Sequence, residues 1–128
     1  MLGWQADPTH GFHAADIVLH PTLWEGLPLS LLEAQAASLP IVASNVKGNR
    51  EVVTPDTGFL CDPRNVDQYV AALAQLINNP AHRHHLGTAG RRRAERYFDT
   101  RITSRQVGDL YDELLELPKS DPAQRSAA

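Results

Sequence analysis

The stretch DIVLHPTLWEGLPLSLLEAQAASLPIVAS (residues 16–44) predicts a strand, a turn, a helix and a second strand, in that order. Short apolar runs at 16–20 and 40–44 are typical of buried strands in a parallel sheet. The intervening residues 29–37 carry apolar side chains at helical spacing. A strand, a crossover helix and a second strand form a βαβ unit, so we expect a parallel sheet.

The helix of this unit is expected to begin directly after Pro28, a residue that suits the first helical turn. Its buried stripe is predicted to contain Leu29, Leu32 and Ala36, because these residues recur at the spacing of one helical face. The residues between the first strand and this helix are expected to form a loop.

Beyond this unit, a third strand is expected at 58–61, and Val52 with Val53 is expected to start a further short element. Asn65 and Gln68 have the spacing of a capping box, which marks the start of a helix. The predicted apolar stripe of that helix comprises Val66, Tyr69, Val70, Leu73, Leu76 and Ile77.

Two more helices are predicted near the end of the chain. One follows Asn79-Pro80, and the other is capped by Asp99 or Thr100 and ends before Pro118. Strands in the first half and helices in the second favour an α/β fold, the later part of an open Rossmann-like sheet with flanking helices and a helical C-terminal end.

Length and composition limit the function classes. The 128 residues fit one domain, which we expect to occupy residues 1–117 and to be followed by a disordered tail at 118–128. The net charge of −3 argues against nucleic acid as a partner. Cys61 is the single cysteine, so an intrachain disulfide is excluded, and no apolar run spans a bilayer. We expect a cytoplasmic protein, and Met1-Leu-Gly-Trp reads like the middle of a fold, so we expect a fragment.

The turn between the first strand and its helix carries the candidate chemistry. Glu25 and Glu33 bracket it with seven residues between them, and Gly26 lets a ligand approach the backbone. The first amides of the helix, at residues 29–31, are expected to be free to face an anion such as a diphosphate. Glu33 leans toward the same mouth, where a carboxylate can accept hydrogen bonds from ribose hydroxyls.

The carboxylates of Glu25 and Glu33 also have structural explanations. A glutamate near the first turn of a helix is favoured by the helix dipole alone, which would account for Glu25. Glu33 lies beside Leu32, close to the predicted buried stripe, and a satisfied structural carboxylate would account for it.

Three motifs together resemble family 4 glycosyltransferases, also called group 1. They are EGLPLSLLEA from Glu25, LPIVAS from Leu39 and GNREVV from Gly48, and the likeness extends over nearly all of residues 3–115. This resemblance implies a GT-B fold and retaining transfer of a hexosyl or related sugar from a nucleoside-diphosphate sugar. It also implies that no metal or other cofactor is required.

The resemblance further implies a role for each residue of the loop. Glu25 would hold the transferred sugar and is the candidate catalytic residue, and Glu33 would take the ribose. The residues implied in donor binding are Glu25, Gly26, Leu27, Pro28, Leu29, Ser30 and Glu33.

Such enzymes bind a glycan or lipid-linked acceptor through an N-terminal domain that has no counterpart here, and the full enzyme would associate peripherally with membranes. The isolated chain is therefore expected to be inactive. A non-catalytic nucleotide-sugar-binding module and a nucleotide-sugar epimerase of the same fold are the alternatives.

The sequence departs from the family pattern at three positions. Pro28 stands where many members have glycine and removes one amide donor. Ser38 stands where a glycine is frequent, and Lys47 replaces the first residue of a Gly-Gly pair. Lys47 is expected either to approach the diphosphate or to lie in solvent.

The histidines, the arginines at 91–93 and the tryptophans can be explained by structural roles or by exposure to solvent. His13 and His20 flank the first strand without an evident partner, and both are expected to be structural. The histidines at 82, 84 and 85 and the arginines at 91–93 are expected to face solvent. Trp4 and Trp24 could stack on a nucleobase or fill a core, and Trp24 is the better candidate for stacking because it adjoins Glu25.

Overall fold

The computed structural model describes residues 6–115. The chain divides into two compact units, Met1–Arg96 and Tyr97–Ala128. The elements in chain order are α1 (Thr9–His13), β1 (Val18–His20), α2 (Leu29–Ala36), β2 (Ile41–Ser44), α3 (Lys47–Val52), β3 (Gly58–Cys61), α4 (Val66–Asn78), α5 (Pro80–Tyr97) and α6 (Thr100–Leu114).

The three strands form a parallel sheet in the order β1-β2-β3, with Val18 opposite Ile41 and Ile41 opposite Gly58. The predicted βαβ unit and parallel sheet are confirmed. The prediction that the first strand is buried is wrong in part, because β1 lies at the edge of this sheet and leaves Leu19 47% exposed. It also begins two residues later than predicted, at Val18.

Apolar clusters cover both faces of the sheet. Ile41 and Ala43 of β2 point to a cluster with α2 and the end of α3, whereas Val42 points to a cluster with α4 and α5. This alternation follows from the two-residue period of a strand. Helices on both faces of a parallel sheet confirm the predicted α/β class with flanking helices.

Helix α2 begins where predicted but presents a different face to the core. Its buried residues are Leu31, Ala34 and Gln35, and Leu29 is 66% exposed. The predicted stripe is wrong at Leu29 and Ala36, which are exposed, whereas Leu32 is partly buried and packs against the core. Apolar residues of LSLLEAQA lie on more than one side of the helix, so their spacing does not fix one face. Glu33 is exposed and lies away from the core.

The C-terminus of α2 is closed by a Schellman motif. The Leu39 amide donates to the Ala34 carbonyl at 3.0 Å, and the Ser38 amide donates to the Gln35 carbonyl at 2.9 Å. Ser38 has a φ of 61°, the left-handed conformation that this motif requires. A Cβ on Gly87 of α5 would lie only 1.9 Å from the Ser38 oxygen, so α5 packs directly on this turn.

Of the short features predicted between Val52 and Gln68, the third strand and the α4 cap are confirmed, and an element starting at Val52 is not. Val52 and Val53 do not start an element, since Val52 ends α3 and both side chains are buried in the core. The third strand is confirmed at Gly58–Cys61. The α4 cap is also confirmed, as the Asn65 side chain accepts a hydrogen bond from the Gln68 amide at 3.3 Å.

The capping box of α4 is not reciprocal, and its apolar stripe is shifted. The Gln68 side chain accepts from the Asp62 amide at 2.7 Å instead of reaching back to the cap residue. Tyr69 and Leu76 are buried as predicted, together with Ala72, whereas the predicted members Val66, Val70 and Ile77 are exposed.

Two arginines of α5 donate hydrogen bonds to carbonyls at the ends of other helices. The prediction that they only face solvent is therefore wrong. Arg93 donates to the carbonyls of Val52 at 3.0 Å and Glu51 at 2.9 Å, at the end of α3. Arg91 donates to the Ala36 carbonyl at the end of α2. Arg92 is exposed, as expected.

The second unit contains α6. The Asp99 side chain caps this helix by accepting from the Arg101 amide at 2.8 Å, so the predicted cap is confirmed. The helix ends at Leu114, before Pro118. The end of the predicted domain at 117 and the predicted tail at 118–128 lie outside the described residues.

Candidate functional site

The loop that joins β1 to α2 lies at the carboxyl edge of the parallel sheet, together with the start of α3. Ligands of open α/β sheets bind at this edge, because the helix N-termini that follow the strands point their amides toward it. The fold therefore places the bracketed turn where the sequence predicts it.

Hydrogen bonds fasten the start of this loop to the interior. The Thr22 amide donates to Ser44 Oγ at 2.7 Å, and Ser44 Oγ shares a second hydrogen bond with the Tyr69 hydroxyl at 2.8 Å. Asn49 Nδ2 donates to the Ser44 carbonyl at 2.8 Å. Sequence reasoning missed this chain of contacts, since it joins residues from β2, α3 and α4.

Glycine at the start of α3 sets the position of the next part of the loop. A Cβ on Gly48 would lie 2.3 Å from the Gly26 oxygen and 2.7 Å from the Glu25 oxygen. Real side chains do not approach so closely, so α3 can contact this backbone only through a glycine. Gly26 itself has open space around its Cα, which leaves its outer side accessible.

The Glu25 carboxylate is held by a histidine. Its Oε1 lies 3.0 Å from His20 Nε2, and the two side chains are 27% and 20% exposed. His20 ends β1, and Glu25 lies five residues later in the loop. The expectation that His20 has no evident partner is wrong, because the loop after β1, which bends at Leu23, brings Glu25 back to the end of the strand.

The free amides at the start of α2 are fewer than expected. The Leu31 amide donates to the Pro28 carbonyl at 3.1 Å, so it is not available to an anion. Within the described part of the chain, the amides of Leu29 and Ser30 donate to no backbone carbonyl, and no side chain caps this helix. Two amides, at Leu29 and Ser30, therefore remain for a ligand.

Glu33 lies beside a cavity of about 440 Å³. The cavity is bounded on one side by α1 and the residues before it and on the other by α2. Its lining residues are Asp7, Pro8, Thr9, Phe12, His13, Glu33, Ala36 and Ala37. Glu25 is not among them, so the cavity adjoins only one of the two glutamates. Sequence reasoning did not find the contribution of α1.

The outer surface of the loop is apolar. Trp24 is 81% exposed, which rules out the core-filling interpretation of this side chain, and Leu23 and Leu27 are exposed with it. Pro28 is buried, whereas Gly26 and Ser30 are exposed. Trp4 lies outside the described residues. Lys47, the first residue of α3, is exposed.

The other histidines form no metal site in the described residues. Across residues 6–115, no group of three or more His, Cys, Asp or Glu side chains is placed to hold a metal ion. His84 and His85 are exposed as expected, and His82 is partly buried against the ring of Phe59. No helix within the same range is long and apolar enough to cross a membrane.

Comparison with protein families gives a match over most of the chain. The model of the family described as "Glycosyl transferases group 1" matches residues 1–93. The UDP-Gal:alpha-D-GlcNAc-diphosphoundecaprenol alpha-1,3-galactosyltransferase of Escherichia coli is 38% identical over 80 residues, which are 62% of this chain and 21% of that protein. The MMP alpha-(1->4)-mannosyltransferase of Mycolicibacterium hassiacum is 36% identical over 104 residues, which are 80% of this chain and 25% of that protein. This chain thus spans about a fifth to a quarter of the length of these two relatives.

Solved structures share the fold. The sucrose-phosphate synthase from Thermosynechococcus elongatus superposes with a TM-score of 0.79 at 31% identity, over 83% of this chain and 27% of that one. HepE from Anabaena, in complex with UDP-glucose, superposes with a TM-score of 0.82 at 23% identity, over 88% of this chain and 31% of that one. Since the family model covers well over half of the residues, the chain belongs to the group 1 glycosyltransferases and has part of their GT-B fold.

Proposed function

We propose that this chain forms the donor-binding part of a retaining glycosyltransferase. The enzyme would transfer a hexosyl or related sugar from a nucleoside-diphosphate sugar to a glycan or lipid-linked acceptor. The observation that carries this proposal is the placement of Glu25 and Glu33 on either side of a loop whose Leu29 and Ser30 amides are free. The HepE complex with UDP-glucose and the UDP-Gal-dependent relative support a nucleotide-sugar donor.

Each group of the site has a separate part of the donor to bind. The Glu33 carboxylate would accept hydrogen bonds from the two ribose hydroxyls, and the adjoining cavity between α1 and α2 would take the nucleobase. The amides of Leu29 and Ser30 would face the diphosphate, where the dipole of α2 favours negative charge. The Glu25 carboxylate would hold hydroxyls of the transferred sugar and act next to the reacting carbon.

Donor binding would require no metal ion, and the acceptor would be bound through a separate N-terminal domain. The lipid-linked acceptor named for the Escherichia coli relative favours an enzyme that works in the cytoplasm and associates peripherally with a membrane.

A nucleotide-sugar-binding module without catalysis is the second candidate. Breaking the bond to the diphosphate requires stabilisation of its developing charge, and a helix terminus contributes only about 0.3–1 kcal/mol per charge. In the described residues, the groups of the site available to an anion are two amides of α2, together with the exposed Lys47 at the start of α3. Donor binding without transfer to any acceptor would support this candidate.

Calorimetric titration with UDP-glucose, GDP-mannose and ADP-glucose tests the proposal. We expect one donor to bind, with the same affinity in the presence of EDTA and of Mg²⁺. Hydrogen bonds to charged groups contribute about 1.5–3 kcal/mol, so Glu33→Ala should weaken binding about tenfold or more. Glu113→Ala, which removes an exposed glutamate of α6, is the matched control.

The outcomes separate the parts of the proposal. Absence of heat with every donor would contradict donor binding as a whole. Binding that is unchanged in Glu33→Ala would remove the ribose role while leaving the rest of the site in place.

A further inference from the structure

We propose that His20 is a positioning residue that holds the Glu25 carboxylate ready for the sugar of the donor. The inference rests on the proposed function, because it assigns a task to one of the donor-binding residues. Its geometric basis is the 3.0 Å contact between His20 Nε2 and Glu25 Oε1, formed by two side chains that are both largely buried.

The backbone positions of both residues are set independently of each other. His20 is the last residue of β1 and pairs with Ala43 of the central strand. The Glu25 backbone lies against Gly48, which leaves no room for a side chain between them. The carboxylate and the imidazole therefore meet because the sheet and α3 place them together, and the contact does not depend on a bound ligand.

The contact has a direct chemical consequence for Glu25. A carboxylate accepts hydrogen bonds at both oxygens, so a donating imidazole on Oε1 leaves Oε2 free for a sugar hydroxyl. A glutamate on an open loop would otherwise lose much of its rotational freedom on binding, which opposes association. His20 orders the side chain beforehand, and the sugar then meets a carboxylate that already has a fixed direction.

A purely structural role for His20 makes a different prediction. If the histidine only supported the loop, its loss would weaken the binding of the nucleotide and of the nucleotide sugar by equal factors. If it positions Glu25, its loss would reduce only the additional affinity that the sugar contributes. The ratio of the two dissociation constants distinguishes these roles.

The experiment titrates the full chain with UDP and UDP-glucose, GDP and GDP-mannose, and ADP and ADP-glucose. We expect His20→Ala to weaken binding of the preferred nucleotide sugar about three- to tenfold, the effect of freeing one rotamer-rich side chain. The matching nucleotide should bind within about twofold of the wild type. His20→Gln retains an N–H donor at a similar reach and should restore most of the loss.

The control variant is His84→Ala, which removes an exposed histidine of α5, and thermal unfolding of each variant verifies that it folds. Equal losses for nucleotide and nucleotide sugar, or no loss for either, would overturn the inference. Failure of His20→Gln to restore binding would overturn it as well.

A ligand-free measurement separates this inference from the proposed function. In ¹⁵N spectra of the unliganded protein, Glu25→Ala should change the ring nitrogen signals of His20 and leave those of His84 in place. Unchanged His20 signals would overturn the inference without any donor. A wild-type chain that binds none of the six ligands would instead overturn the proposed function, and the spectra alone would then decide whether His20 holds Glu25.

Discussion

Gly48 lies so close to Gly26 that a Cβ at Gly48 would be 2.3 Å from the Gly26 carbonyl oxygen. The atom in the way belongs to the backbone, so a side-chain rotation cannot relieve the contact. The first turn of α3 and the loop between the two glutamates are therefore packed backbone to backbone. Any residue larger than glycine at 48 must move one of them.

We therefore predict that Gly48→Ala lowers the free energy of unfolding by about 1–3 kcal/mol, the usual effect of overpacking, despite the better helix propensity of alanine. Donor affinity should fall as well, because the Glu25 backbone shifts. Gly26→Ala is the matched control: nothing lies within 4 Å of the added Cβ, so stability should change by less than about 0.5 kcal/mol. Denaturant unfolding measures both, and equal stability of the two variants would contradict the packing argument.

Ser38 offers a stabilising substitution. It occupies the left-handed position of the Schellman motif with a φ of 61°, where a residue with a Cβ is strained and glycine is not. Ser38→Gly should raise the free energy of unfolding by about 0.5–1 kcal/mol, after allowance for the greater freedom of glycine in the unfolded chain. Thermal unfolding should show a midpoint higher by a few degrees. Ser38→Ala keeps the Cβ and should bring no gain, and a stabilised alanine variant would speak against this explanation.

Arg93 is predicted to contribute to stability through the end of α3. Its guanidinium donates to two carbonyls there, of Val52 and Glu51, where a cation is also favoured by the helix dipole. Arg93→Ala should lower the free energy of unfolding by about 1–2 kcal/mol, the range for hydrogen bonds to a charged group at a partly exposed site. The exposed neighbour Arg92 provides the control, since Arg92→Ala should have an effect below about 0.5 kcal/mol. Similar unfolding curves for both variants would rule out the contact as a source of stability.

The cap of α6 should respond to acid. The hydrogen bonds from the Arg101 side chain and backbone lower the pKa of Asp99 from 3.8 to about 2. A carboxyl with a depressed pKa in the folded state stabilises above its unfolded pKa, and this contribution is lost as the pH falls through the folded value. The contribution of Asp99 should therefore be complete above about pH 4 and disappear toward about pH 2.

Carboxyl ¹³C NMR can follow this titration directly. The wild-type midpoint for Asp99 should lie near 2, and Arg101→Ala should move it upward toward 3.8. Asp99→Asn, which keeps a capping side chain but cannot titrate, should retain α6 at neutral pH. A wild-type midpoint close to 3.8 would show that the Arg101 contacts do not persist in solution.

Local sequence signals predicted those parts of the fold that depend on short-range patterns. The βαβ unit was predictable because two apolar runs of strand length flank a helical segment, and the α4 and α6 caps were predictable because Asn65 and Asp99 satisfy amides in their own first turn. The buried face of α2 was not predictable, because its apolar residues lie on more than one side of the helix and a polar residue, Gln35, is buried with them. The edge position of β1 was equally hidden, because it depends on which strands pair with it.

The sequence places the residues of the candidate site in the chain, but it does not predict the contacts that hold their loop in position. The position of Glu25 and Glu33 follows from the turn between a strand and a helix. The contacts that hold the loop join distant parts of the chain, such as Ser44 with Tyr69, and no local spacing reveals them. The pairing of His20 with Glu25 depends on how the loop folds back, which the intervening residues do not specify.

The chain of hydrogen bonds from Thr22 through Ser44 to Tyr69 has an evolutionary consequence. It anchors the start of the loop, at Thr22, from inside the molecule, whereas the side chains of Trp24 and Leu27 are exposed on its outer surface. Mutations at these exposed positions can accumulate without loosening the backbone that carries the two glutamates. Substitutions there would alter the outer surface of the loop while its anchored start stays in place.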